Sequence, residues 1–306
     1  MITIKEVTYK NYGKCLSLSN DSMELYVTIN VGPRIVKCNL RGKENLMFED
    51  IDRAMSEDVS SVYGEGKSWY IYGGHRLWLS PESLPETYYP DNDRVVYSTC
   101  STGAEFIPPV QAVRELQFSV SVELHETEPR AVIHHKITNM GEKPVTGAAW
   151  SLSVMDKGGM IVIPQPQEDT GLLANRVLAL WPYTDMTDSR IFFGNKYIAL
   201  RQNPDIDKKI KIGINNTAGK IAYINHGQAM VKSFEPDFEN GTYPDFGVSC
   251  EAFANRYFTE SETLSPLKTI AHNESIEHTE VWTLFDGVEI PESKNDTLEA
   301  LGNIVF

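Results

Sequence analysis

Met23-Glu-Leu-Tyr-Val-Thr-Ile-Asn-Val31 decides the fold class. Its odd positions, Met23, Leu25, Val27, Ile29 and Val31, are apolar, while Glu24, Thr28 and Asn30 between them are polar. Side chains of a strand alternate between two faces, so period-2 hydropathy marks a half-buried strand. Gly32-Pro33 breaks the run, and Val36, Cys38 and Leu40 resume it against Lys37, Asn39 and Arg41. The same alternation recurs in Phe118–Leu124 and in Ala131–Thr138, which the turn Asn139–Pro144 separates from a further strand, Val145–Val154. Later strands are expected at 197–201, 209–214, 221–225, 230–234, 247–253, 257–264 and 276–285. A helix is expected only at Ser293–Ile304, with Ser293, Asn295 and Asp296 as candidate N-caps. Many short strands without long amphipathic helices exclude βαβ units and predict an all-β, antiparallel sandwich.

Composition sets the outer limits. The chain has 306 residues, 41% hydrophobic and 23% charged, the values of a folded globular protein. No linker or shift of composition divides it, so residues 1–306 are expected to form one domain. A net charge of −14 disfavours nucleic acid and anionic membrane as partners and suits a neutral small molecule. No apolar run is long enough to span a bilayer. Cys15, Cys38, Cys100 and Cys250 are widely spaced, with no zinc pattern, and the N-terminus lacks the profile of a signal peptide. The expectation is a cytoplasmic protein with free buried thiols.

Three segments carry candidate chemistry. Tyr70–Glu82 packs His75, Arg76, Trp78 and Glu82 behind Gly73-Gly74, with Trp69, Tyr70 and Tyr72 close by. Sugar sites use this mixture: aromatic faces cover the C–H face of the ring, while forked donors and acceptors hold the hydroxyls. The plainer alternative is a Gly-Gly turn with core aromatics and an Arg76–Glu82 ion pair. In Tyr257–Leu267, Glu260 and Glu262 share one strand face, roughly 7 Å apart, and two such carboxylates raise each other's affinity for protons. The alternative is a solvent-facing strand, or ion pairs to Arg76 or Arg34. The third segment, Phe234–Gly247, is rich in carboxylates and aromatics and offers Asp245 and Glu235 as hydroxyl acceptors. It lacks EF-hand spacing. His134-His135 resembles a metal motif, but neighbours in a strand face opposite ways, so they make no shared site. No metal or cofactor is called for.

Val31-Gly-Pro-Arg-Ile35, Gly73-Gly-His-Arg-Leu-Trp78, Ser80-Pro-Glu82, Trp181-Pro-Tyr183, Tyr243-Pro-Asp-Phe-Gly247, Ser261-Glu-Thr-Leu-Ser-Pro266 and Glu280-Val-Trp282 occur in this order along nearly the whole chain. Together they resemble an uncharacterised bacterial family related to aldose 1-epimerases. The resemblance implies a large galactose mutarotase-like β-supersandwich with a sugar site on its concave face. It also implies that Glu262 is the base taking the anomeric hydroxyl proton, and that His75 is a sugar-contacting histidine. Asp245 would be a hydroxyl-binding aspartate. The sequence departs from the epimerases in one respect: where they carry a mid-chain acid histidine, Gly147–Val154 carries Trp150. His75 or Arg76 then takes over part of that role, or the reaction is not run. The expectation is therefore acid–base chemistry at an anomeric centre, with Glu262 as base and His75 as acid. Arg34, Arg76, Trp78, Glu82, Asp245 and Glu260 would shape the pocket. Non-catalytic sugar binding in the same cleft is the alternative, and oligosaccharide cleavage by the Glu260/Glu262 pair is a third.

Overall fold

In the computed structural model, which describes residues 1–306, the alternating segments become strands of two large antiparallel sheets. The first has 11 strands. It runs from Thr3–Thr8 through Lys14–Ser19, Met23–Thr28, Ile35–Leu40, Gly74–Ser80, Val145–Met155, Thr259–Leu264, Cys250–Ala254 and Ile210–Ile214 to Leu178–Leu180. Lys268–Ile270 pairs separately with Val145–Met155. The second sheet has 10 strands, with Gln228–Ser233, Ser275–Asp286, Arg130–Asn139 and Leu116–Leu124 near its middle. The all-β sandwich expected from alternation is what forms.

Alternation works as expected where one face meets the partner sheet. Phe118, Val120, Val122 and Leu124 are buried, while Glu123 between them is exposed. They join an inter-sheet cluster of 44 buried residues that extends from Leu16 to Leu284. The strand Val145–Met155 differs, because both its faces are covered. Ala149 and Met155 join the inter-sheet cluster, whereas Trp150, Leu152 and Val154 join a second cluster with Trp69, Trp78 and Phe258. That second cluster lies on the face of the 11-stranded sheet turned away from its partner, and it builds the site described below.

The C-terminal helix is Asn295–Val305. None of the expected caps is used: Lys294 is the N-cap, and Asn295 accepts a hydrogen bond from the Asn195 amide instead. Leu298, Leu301 and Val305 cover Met160, Val162 and Ile224 on the outer face of the second sheet. Cys15, Cys38 and Cys250 are free and buried, but Cys100 is exposed, unlike the expectation of buried thiols. No helix is long and apolar enough to cross a membrane.

Candidate functional site

Strand register assembles the site row by row. Gly74–Ser80, Val145–Met155, Thr259–Leu264, Cys250–Ala254 and Ile210–Ile214 lie side by side. Arg76, Leu152, Glu262, Glu251 and Gly213 stand opposite one another in one row. Two residues along, Gly74, Val154, Glu260, Phe253 and Lys211 form the next. Trp78, Trp150 and Leu264 form a third. Directly opposite residues share a face, so these side chains all emerge on the outer side of the sheet. Above them opens a cleft of about 480 Å³ with indole and phenyl walls from Trp69, Trp78, Trp181 and Phe253. Its charged lining residues are Glu57, Arg76, Glu82, Lys209, Lys211 and Glu260.

Two buried ionic groups lie along this face. Arg76 donates from Nη2 to Glu260 at 3.2 Å, and its guanidinium lies 4.2 Å from the Trp78 ring centroid. Burial raises the Glu260 pKa, and Arg76 opposes that shift. In the other group, Lys211 Nζ sits 2.7 Å from Glu251 and 3.0 Å from Glu262, between the rings of Trp150 and Trp181 at 4.6 and 4.7 Å. Trp150 Nε1 donates to the same Glu262 oxygen at 2.8 Å. Burial pulls the Lys211 pKa down, but Glu251 and Glu262 outweigh it and hold the ammonium charged. Burial drives the Glu251 carboxyl well above its ordinary range; Lys211 pulls against this and Glu262 adds to it. Neither Glu251 nor Lys211 stood out in the sequence.

The expected site residues do not all converge. Arg76, Trp78, Glu82 and Glu260 line the cleft. Glu82 accepts a hydrogen bond from Tyr88, another lining residue. Glu262 is on the same face but wholly buried beneath Trp150 and Lys211. Asp245 is half-buried near Glu251, and burial raises its pKa. It is held in a turn where Asp245 (φ 50°) and Phe246 (φ 67°) are both left-handed. Arg34 is elsewhere. It is buried in an ion pair with Asp91 at 2.5 Å and lines a separate small cavity with Pro108 and Phe118.

His75 corrects the expectation most sharply. As the neighbour of Arg76 in a strand it points the other way, into the space between the sheets. Its Nε2 meets His135 Nε2 at 2.7 Å and its Nδ1 meets Ser153 Oγ at 2.8 Å. His135 Nδ1 faces the His278 carbonyl at 2.9 Å and has to donate to it. His135 Nε2 therefore accepts from His75 Nε2–H, and His75 Nδ1 accepts from Ser153. Burial lowers the His75 pKa well below its usual value, so the ring is neutral. His75, His135 and Glu280 have the donor set of a metal site, with ligand atoms within 4.8 Å of one another. Those atoms are already engaged. Glu280 accepts from Lys232 at 2.9 Å, Thr263 at 2.6 Å and Trp282 at 2.7 Å. The cluster is a closed hydrogen-bond network in the core. His134, on the opposite face, reaches Thr279 at 2.9 Å, so the pleat separates the two adjacent histidines as expected.

No protein-family model and no curated protein matches the sequence. Solved structures do match. A galactose mutarotase-like protein from Lactobacillus casei aligns over 89% of this chain and 100% of its own, with a TM-score of 0.54 and 10% identity. The fold is galactose mutarotase-like. A second galactose mutarotase-like protein, from Clostridium acetobutylicum, aligns over 93% of this chain and 99% of its own, with a TM-score of 0.53 and 11% identity. A TPR-domain containing protein from Parabacteroides distasonis aligns over 91% of this chain with a TM-score of 0.61 and 11% identity, and this chain spans 49% of its length. At these identities the likeness is one of fold, and function rests on the residues of the cleft. In the galactose mutarotase-like fold as this chain builds it, those residues are two clamped cations, Arg76 and Lys211, under an aromatic roof.

Proposed function

We propose that this protein recognises a carbohydrate in the outer-face cleft, as a sugar-binding protein. The observation that carries this reading is the combination of indole walls from Trp69, Trp78 and Trp181 with Arg76, Glu260 and Lys211 fixed at the floor. Aromatic faces suit the C–H face of a pyranose, and immobilised donors and acceptors suit its hydroxyls. The cleft volume of about 480 Å³ lies within the ~300–1,000 Å³ typical of small-molecule sites. Tryptophan fluorescence and saturation-transfer NMR with a panel of aldoses and disaccharides test it. Saturable binding that is weakened in Trp181→Ala and Arg76→Ala supports the proposal, and no binding by folded protein refutes it.

Acid–base chemistry at the anomeric centre is the second reading, favoured by the position of Glu262 on the cleft side of its strand. It requires Trp150 or Lys211 to move, because both cover that carboxyl. It also requires an acid other than His75, which faces the core. Faster anomer equilibration of freshly dissolved α-glucose or α-galactose, abolished in Glu262→Gln, would establish it. Oligosaccharide cleavage by Glu260 and Glu262 is disfavoured, because both project from one face of one strand and do not flank a bond.

A further inference from the structure

We propose that Glu251 and Glu262 hold one proton between them at neutral pH, and that this carboxyl couple, clamped by Lys211, is the proton-bearing group of the cleft. The functional half of this statement rests on the sugar reading above; the protonation half does not.

Charge counting carries it. Glu251, Glu262 and Lys211 are 1%, 0% and 4% exposed. One ammonium serves two carboxylates, and a second buried negative charge without a partner is too costly to keep. No other cation is paired with either carboxyl, and Lys209, which also lines the cleft, is exposed to solvent. Arg76 is engaged with Glu260, and Lys232 is on the opposite face of the sheet with Glu280. The remaining groups facing the couple are Asp245, Glu260, Glu82 and Tyr183, none of which supplies positive charge.

Hydrogen bonding gives an independent argument. Both oxygens of Glu251 and Oε1 of Glu262 are buried with no hydrogen-bond partner, Glu251 Oε2 having only the Lys211 ammonium in ion-pair range. Two carboxylates have only acceptors to offer each other, whereas a carboxylic acid has an O–H to donate. The two residues are directly opposite on neighbouring strands. Like charges there repel, and a shared proton turns the repulsion into a hydrogen bond.

The couple fills a gap in the site, since the histidine expected to carry a proton faces the core. Lys211 lines the cleft while the two carboxyls lie beneath it. Glu251 thus acts on a bound sugar through Lys211 and is a positioning residue. Half-buried Asp245, beside Glu251, offers the proton a way to solvent.

The test is carbon-13 NMR of the full-length protein labelled at glutamate carboxyls, titrated through neutral pH, alongside sugar affinity measured by calorimetry over the same range. One carboxyl carbon is expected to remain protonated at neutral pH in wild type and in Glu123→Gln, an exposed glutamate of the other sheet, and to be absent from Glu251→Gln. Wild-type sugar affinity should vary with pH through that titration, and the Glu251→Gln profile should be flat. If all glutamates of the folded wild type are ionised at neutral pH, or if the signal survives Glu251→Gln, the couple is refuted. Should Glu251→Gln fail to fold, Glu262→Gln takes its place, and loss of the signal there supports the couple while persistence refutes it. A protonated carboxyl in a protein that binds no sugar overturns the sugar reading and leaves the couple standing. Sugar binding with every carboxyl ionised does the reverse.

Discussion

Lys211 and Lys232 are both buried lysines in ion pairs, and they serve different ends. Lys232 and Glu280 are each 0% exposed and paired at 2.9 Å, with Thr263 and Trp282 also bound to the carboxylate. Both carboxylate oxygens have partners, and burial of Glu280 is outweighed by Lys232, which keeps its carboxyl far below the usual range. Glu280→Gln strands the ammonium and is expected to cost about 3–5 kcal/mol of stability, measured by urea unfolding. His75→Ala is expected to lower stability while leaving sugar affinity unchanged, since the ring touches His135 and Ser153 rather than the cleft. Trp181→Ala should do the opposite. It removes a cleft wall that is only partly buried, and a roughly tenfold loss of sugar affinity, about 1.4 kcal/mol, is expected with little change in the urea midpoint. At this scale the sequence was half legible. The pleat rule that separates His134 from His135 also separates His75 from Arg76, but Gly73-Gly74 reads as a turn, and nothing in the alternation marked Gly74–Ser80 as a strand to which the rule applies. Lys211 was invisible for another reason. Ile210-Lys-Ile-Gly-Ile214 reads as a strand with lysine toward water, and nothing local tells that Trp150 and Trp181 roof that side.

The elements followed from hydropathy wherever one face was wet. Met23–Thr28 and Leu116–Leu124 match their expected alternation almost residue for residue. Val145–Met155 was found as a strand, yet its face assignment was obscured because Gly147 through Met155 are all buried, with Ser151 and Ser153 on the interior side. The Tyr243–Gly247 turn could not be foreseen from alternation. Asp245 and Phe246 both adopt left-handed backbone, which costs an L-residue roughly 1–2 kcal/mol. Phe246 recovers nothing by packing, being 93% exposed. Strain of this kind persists where it positions a functional group, and here it sets Asp245 near Glu251 and Lys211. Phe246→Gly is expected to raise stability by about 0.5–1 kcal/mol in urea unfolding. A loss of stability would show that the turn is not strained.

At the scale of the molecule, buried titratable groups in the two halves of the sandwich pull stability in opposite directions as pH changes. His75, His135 and His278 are buried and neutral between the sheets. Burial is the main cause in each case, holding His135 at about 4, His278 at about 3 and His75 well below its usual value. Below the unfolded value of 6.5 the unfolded chain takes up protons that the folded core refuses, so their contribution is lost as pH falls toward those values. Glu251 behaves the other way. Its folded value lies well above 4.5, so the folded state binds the extra proton, and stability falls as pH rises from 4.5 through that folded value. Wild type minus Glu251→Gln isolates this second effect, because the histidines are common to both. The variant should gain on wild type by up to about 1.4 kcal/mol per pH unit above 4.5 and then level off where Glu251 ionises in the folded protein. Urea unfolding at a series of pH values measures the difference. Parallel curves would mean that Glu251 is ionised in the folded state and that Lys211 balances both carboxylates unaided.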